Sequence, residues 1–179
     1  FLNFSNDHLD WHNNRTNYLN AKLRIFRLQD KNQYAIINKS LKKIFKKKKF
    51  LSKSLTPEIK NYKKIKYMIN NDYLNSKLND ENMSFIFTFS KLLNINKKCF
   101  VRSIQSFKSL PHRFEIFMKK KGVTFINDSK ATSFTAASSA ISSLKNIFLI
   151  LGGLPKKNDK IDFSKFKKNI IKCYLIGKN

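Results

Sequence analysis

The chain has 179 residues, 41% of them hydrophobic, and a formal charge of +26, a length that fits one domain or parts of two and an apolar share able to build a core. The charge alone suggests a polyanion binder, but lysine supplies nearly all of it, the arginines being only Arg15, Arg24, Arg27, Arg102 and Arg113, whereas nucleic-acid surfaces lean on arginine for bidentate and stacked contacts. Lys, Asn, Ile and Phe are abundant while Ala, Gly and Pro are scarce, so A/T-rich codon usage accounts for the excess more economically than a nucleic-acid partner does.

Apolar residues from Arg15 to Leu28 recur mostly at helical spacing and predict an amphipathic helix after a polar loop. Tyr34 to Ile37 reads as a short strand, and the basic run Lys42–Lys49 as a solvated helix face or connecting segment rather than a nucleic-acid patch. Thr56-Pro57-Glu58 marks a break, and Tyr62 to Asn75 is too polar and irregular to assign. Helical spacing returns from Asn79 to Leu93 and again from Lys98 to Phe107. Leu110-Pro111 then punctuates the chain, since proline disfavours a helical residue before it, and a domain boundary is placed there.

Beyond it, Phe114–Met118 and Val123–Ile126 read as strands around a turn at Lys121-Gly122. A helix from Thr132 to Leu144, a strand Ile147–Leu151, a loop with Gly152-Gly153, a helix around Phe163–Ile170 and a strand ending at Ile176 complete the order. The Ser-rich stretch Ser138–Ser143 falls inside the helical pattern. Strands alternating with helices predict an α/β fold with a parallel sheet. Cys99 and Cys173 are too few and too isolated for a disulfide framework or a metal knuckle and read as buried thiols in a reducing compartment. No apolar run reaches the ~18 residues of a membrane helix, and no basic-then-apolar leader opens the sequence. A soluble cytoplasmic protein without membrane insertion is expected.

Chemistry concentrates in a few places. Asn127-Asp128-Ser129-Lys130-Ala131-Thr132 follows a strand and precedes a helix, the position where α/β sheets gather ligand-binding loops and helix N-termini. Asp128 suits a ribose hydroxyl and Lys130 a phosphate or carboxylate, while Ser129 or Thr132 can cap the helix. Gly152-Gly153 permits close backbone approach, with Lys156 beyond it. Near the start, Asp7-His8-Leu9-Asp10 with His12 offers oxygen and nitrogen donors for a hard divalent ion, or a polar cap for the next helix. Lys22 on that helix reads by itself as a surface lysine.

These segments together resemble the Mur ligases of peptidoglycan synthesis, and within them the branch that adds D-glutamate. The resemblance rests on Asn3–Asp10, Tyr18–Phe26, Leu110–Glu115, Gly122–Thr132 and Leu149–Gly153, in family order, with the Asp-Ser-Lys-Ala-Thr loop the discriminating piece. It implies an ATP-dependent amide ligation in which the carboxylate of UDP-N-acetylmuramoyl-L-alanine is phosphorylated and the D-glutamate amine attacks the acyl phosphate. It further implies His8 as a Mg²⁺ ligand, and Lys22 as a carbamylated lysine that helps hold the metal. Asn82 would meet adenine, Arg113 and Asp128 would contact ATP, and Lys130, Thr132 and Lys156 would line the phosphate and D-glutamate side. Leu78 stands where the family has His, Ser133 replaces a usual Asn, and Lys157 competes with Lys156 for the glutamate.

The glycines are Gly122, Gly152, Gly153 and Gly177, so the sequence holds no glycine-rich loop ending in Lys-Ser or Lys-Thr to cradle ATP phosphates. The resemblance therefore predicts a fragment: residues 1–109 as the C-terminal part of the central ATPase domain, and 110–179 as an incomplete Rossmann-like C-terminal domain. The N-terminal domain and phosphate-binding loop of the same polypeptide would be missing, and the piece alone inactive. Another member of the ligase superfamily and a basic, non-enzymatic nucleic-acid binder are the competing readings.

Overall fold

The computed structural model describes residues 1–4, 9–71, 73–154 and 162–177. It is a mixed α/β chain in two units, one of Phe1–Met68 with Asp80–Arg102, the other of Ile69–Asn79 with Ser103–Asn179.

In the first unit α1 (Leu9–His12) leads into α2 (Arg15–Arg27). Asn14 starts α2 from an extended conformation, its side-chain oxygen accepting the Asn17 N–H at 2.9 Å, which satisfies one of the free donors of the first turn. The helix buries Tyr18, Leu23 and Phe26. Strand β1 (Tyr34–Ile36) pairs in parallel with β2 (Lys53–Leu55), Ala35 opposite Ser54. Between them a 3₁₀ turn, Lys39–Leu41, runs into α3 (Lys42–Lys47). The basic run is thus a helix that buries Phe45 and leaves Lys42, Lys43, Lys46 and Lys47 exposed. Leu23, Phe26, Ala35, Ile37 and Phe45 form a core, sealed by Phe50, whose ring lies 4.9 Å from Phe45 and 5.7 Å from Phe26.

Helix α4 (Ile59–Lys66) occupies part of the stretch left unassigned by the sequence, with Tyr62 and Ile65 buried. It packs on α5 (Asp80–Leu92), where Lys66 Nζ reaches Asp80 Oδ1 at 2.5 Å. α6 (Lys97–Gln105) follows, Phe100 meeting Phe87 with ring centroids 5.3 Å apart.

In the second unit β3 (Glu115–Lys120) and β4 (Val123–Asn127) form an antiparallel hairpin, not strands of a parallel sheet. Lys121 (φ 49°) and Gly122 (φ 77°) make its two-residue turn, the left-handed pair that matches hairpin twist. α7 (Phe134–Ser143) contains the Ser-rich stretch, and the hydroxyls of Ser138 and Ser142 bond carbonyls one turn back at 2.7 Å. β5 (Ile147–Gly152) pairs in parallel with β6 (Ile170–Ile176). The expected helix over Phe163–Ile170 is only a 3₁₀ turn, Phe163–Phe166, because Ile170 already belongs to β6. Both cysteines are exposed rather than buried: Cys173 lies in β6, whose residues from Ile171 onward are all exposed, and Cys99 lies beside the buried stripe of α6. No helix among the described residues is long and apolar enough to cross a membrane.

Candidate functional site

The Leu110–Glu115 segment and the loop after β4 fold onto each other in the second unit. Arg113 N–H bonds the Leu110 carbonyl at 3.2 Å, closing a turn. His112 (φ 63°) and Phe114 (φ 47°), on either side of Arg113, both adopt left-handed backbone, a strain of about 1–3 kcal/mol per non-glycine residue that surrounding structure must over-determine. The Glu115 carboxylate accepts the His112 N–H at 2.8 Å, and Asp128 Oδ1 accepts the Phe114 N–H at 2.9 Å. The Phe114 ring is buried. His112 Nδ1 lies 2.9 Å from Asn127 Nδ2, and the His112 carbonyl accepts the Lys130 N–H at 3.0 Å. The register that sets Glu115 opposite Asn127 brings these groups together.

Asn127 Oδ1 accepts the Ser129 N–H at 3.1 Å, and Ala131 N–H bonds the Asp128 carbonyl at 2.8 Å, so the loop is a pair of tight turns. Neither Ser129 nor Thr132 caps the helix. Ser133 does, accepting the Ala136 N–H at 3.2 Å, because α7 starts at Phe134, later than the sequence pattern suggested. Arg113, Lys130 and Thr132 are exposed on this double turn and Asp128 is half-buried. Two cationic side chains on a braced, solvent-facing loop pair are chemically suited to phosphate or carboxylate oxygens.

Beyond α7, Gly152 ends β5 where an added Cβ would lie 2.7 Å from the Ile176 carbonyl oxygen. Glycine is required there by the closeness of β6. Gly153 follows with φ 108°. Lys156 and Lys157 lie outside the described residues, as does His8.

The remaining predicted residues belong to the first unit. Lys22 is exposed on α2, its Nζ 5.0 Å from the Tyr18 ring centroid and 5.6 Å from that of Phe1. An ammonium so placed is attracted to the faces of the two rings, and it has no lone pair to offer a metal ion. Among the described residues no group of three or more His, Cys, Asp or Glu side chains is gathered to hold a metal ion. Asn82 sits half-buried in the first turn of α5. Its neighbour Glu81 accepts from Asn38 Nδ2 at 2.5 Å, and Glu81, Ser84 and Phe85 line a cleft of about 390 Å³. Asn79 belongs to the second unit instead and is buried there, its amide nitrogen donating to the Tyr73 carbonyl at 2.8 Å. His112, Glu115 and Asn127 were given no role by sequence reasoning. Both segments carry the family resemblance, but the contacts among His112, Glu115 and Asn127 follow only from the hairpin register.

The Mur ligase middle domain model matches residues 1–106. The chain belongs to the Mur ligase family. Over 98% of its length it is 33% identical to a UDP-N-acetylmuramoylalanine–D-glutamate ligase of Rickettsia felis and 33% identical to one of Leptospira borgpetersenii. A ligase of the same name from Natranaerobius thermophilus is 31% identical over the same share. This Mur ligase chain spans 44% of the Rickettsia protein and 42% of the Leptospira one, less than half the length of either relative.

Proposed function

We propose that the chain is the later part of the central domain and the first part of the C-terminal domain of a cytoplasmic, D-glutamate-adding Mur ligase of peptidoglycan synthesis. The observation that carries this reading is the hydrogen-bonded union of the Leu110–Glu115 turn with the Asn127–Thr132 loop, which exposes Arg113 and Lys130 on one braced element. The names of the similar ligases support the amino-acid specificity. A division near residue 110 is supported by the family match through residue 106, although Ile69–Asn79 packs with the later unit. A Rossmann-like C-terminal domain is supported by the parallel pair β5–β6 following α7.

On this reading ATP phosphorylates the muramoyl-alanine carboxylate with release of ADP, and the D-glutamate amine displaces phosphate from the acyl phosphate to form the amide. Arg113 and Asp128 hold ATP, Lys130 neutralises phosphoryl oxygens, and Thr132 with Lys156 or Lys157 orients D-glutamate; such fixed charges act where charge develops. Asn82 meets the adenine from α5. His8 and Lys22, the latter as carbamate, would hold Mg²⁺, which would screen phosphate charge.

The test is phosphate release by the complete gene product supplied with ATP, UDP-N-acetylmuramoyl-L-alanine and D-glutamate. Release should require both acceptor and amino acid, and Lys130→Ala should lower kcat on the order of 10²-fold. A folded complete product that releases no phosphate, or that prefers another amino acid, overturns the assignment.

A further inference from the structure

The turn that presents Arg113 is strained on both sides, and a different carboxylate accepts the backbone N–H of each strained residue. His112 (φ 63°) donates to Glu115 at 2.8 Å; Phe114 (φ 47°) donates to Asp128 at 2.9 Å. Left-handed backbone at a bulky residue persists only where contacts enforce it. Phe114 has a second anchor in its buried ring. His112 is exposed, and its other fastenings are the Asn127 side-chain contact and the Lys130 N–H on its carbonyl. The Glu115 carboxylate is therefore the one charged acceptor on the exposed half of the turn, and its hydrogen bond to a backbone amide is of the stronger, charge-assisted kind. β3 begins at Glu115 and places it opposite Asn127, so the brace is anchored in the hairpin register.

We propose that Glu115 is a positioning residue of the nucleotide site, holding the His112 N–H so that the left-handed turn presents Arg113 on the element to which the Lys130 backbone is bonded. The inference rests on the reading that Arg113 meets ATP. Glu115 itself touches no substrate and works through Arg113. Deleting its side chain lets His112 relax toward ordinary backbone and swings Arg113 off its bearing, and displacements of about 1 Å at a charge-aligning group cost up to 10²-fold.

Steady-state kinetics of the complete ligase test this. Glu115→Ala should raise the ATP KM on the order of tenfold while leaving the D-glutamate KM within about twofold, a split that general destabilisation does not produce. Glu115→Gln, which keeps an acceptor oxygen of the same reach, should recover most of the loss. In an Arg113→Ala background Glu115→Ala should have little further effect, since residues acting as one unit are not additive. Should Glu115→Ala not fold, Glu115→Asp retains the charge but shortens the reach and is expected to raise the ATP KM in the same way. An active wild type whose ATP KM is unmoved by these variants, or moved equally without Arg113, overturns the positioning role while the ligase reading stands. A wild type without ligase activity sinks that reading and this inference together.

Discussion

Asp128 Oδ1 accepts the Phe114 N–H at 2.9 Å across fourteen residues of sequence, tying the loop after β4 to the turn before β3. The same carboxylate that the family resemblance assigns to ATP is thus already engaged on one oxygen. Asp128→Asn keeps an acceptor oxygen and should leave stability within about 0.5 kcal/mol, whereas Asp128→Ala strands a left-handed amide and should cost about 1–2 kcal/mol. Urea midpoints of the two variants check this; equal midpoints would mean that the bond contributes nothing.

A second prediction concerns Lys66 and Asp80, whose side chains are only 22% and 12% exposed and meet at 2.5 Å. Removing one partner leaves a largely buried charge. A fully buried pair loses ~3–5 kcal/mol on such a change, and the partial exposure of Lys66 lowers this, so Asp80→Ala should cost about 2–3 kcal/mol. The double variant Lys66→Met, Asp80→Leu should lie closer to wild type than Asp80→Ala does. A double variant less stable than Asp80→Ala would show that the pair is more than a mutual neutralisation.

The first unit was legible where one side-chain pattern decides the outcome. Arg15–Arg27 and Asp80–Leu92 show helical spacing against an obvious core and appear within one residue of expectation. The antiparallel pairing of β3 and β4 was not read, although it was legible: the turn at Lys121-Gly122 is far too short for the crossover that parallel neighbours require. β2, Lys-Ser-Leu, shows no alternation and owes its existence to pairing with β1. At the site the residue types of Arg113, Asp128 and Lys130 were readable, since charge at a strand end is a chemical signal. Glu115 and His112 were not, because their roles depend on backbone angles and register, which no periodicity encodes.

Tyr62 is fully buried and its hydroxyl finds no hydrogen-bond partner among the described residues. Burial, helped by the Asp80 carboxylate, pushes its pKa up from 10.0 to about 12. The folded value exceeds the unfolded one, so this group's contribution is fully present below pH ~10 and is lost as pH rises toward 12. Tyr62→Phe removes an unpartnered polar atom at little change of shape and should be neutral or stabilising by up to about 1 kcal/mol at pH 7. It should also flatten the decline between pH 10 and 12. Chemical unfolding of both forms across that range decides it, and an unchanged slope would assign the alkaline loss to other groups.

The glycines of the second unit separate two physical causes. At Gly152 an added Cβ would sit 2.7 Å from the Ile176 backbone oxygen, and backbone cannot swing aside as a side-chain tip can. Gly152→Ala must push β5 and β6 apart at the end of their ladder, where Gly152 pairs with Ile176, at about 1–3 kcal/mol by analogy with overpacking elsewhere. Gly122 has open space around it but φ 77°, so Gly122→Ala meets only the left-handed penalty of about 1 kcal/mol. Gly122→Asn should recover part of that, since asparagine tolerates this region, whereas Gly152→Asn should be at least as harmful as alanine. Thermal unfolding of the four variants reads the pattern. Rescue by asparagine at both positions would mean that backbone angle, not contact with Ile176, is what demands glycine at the end of β5.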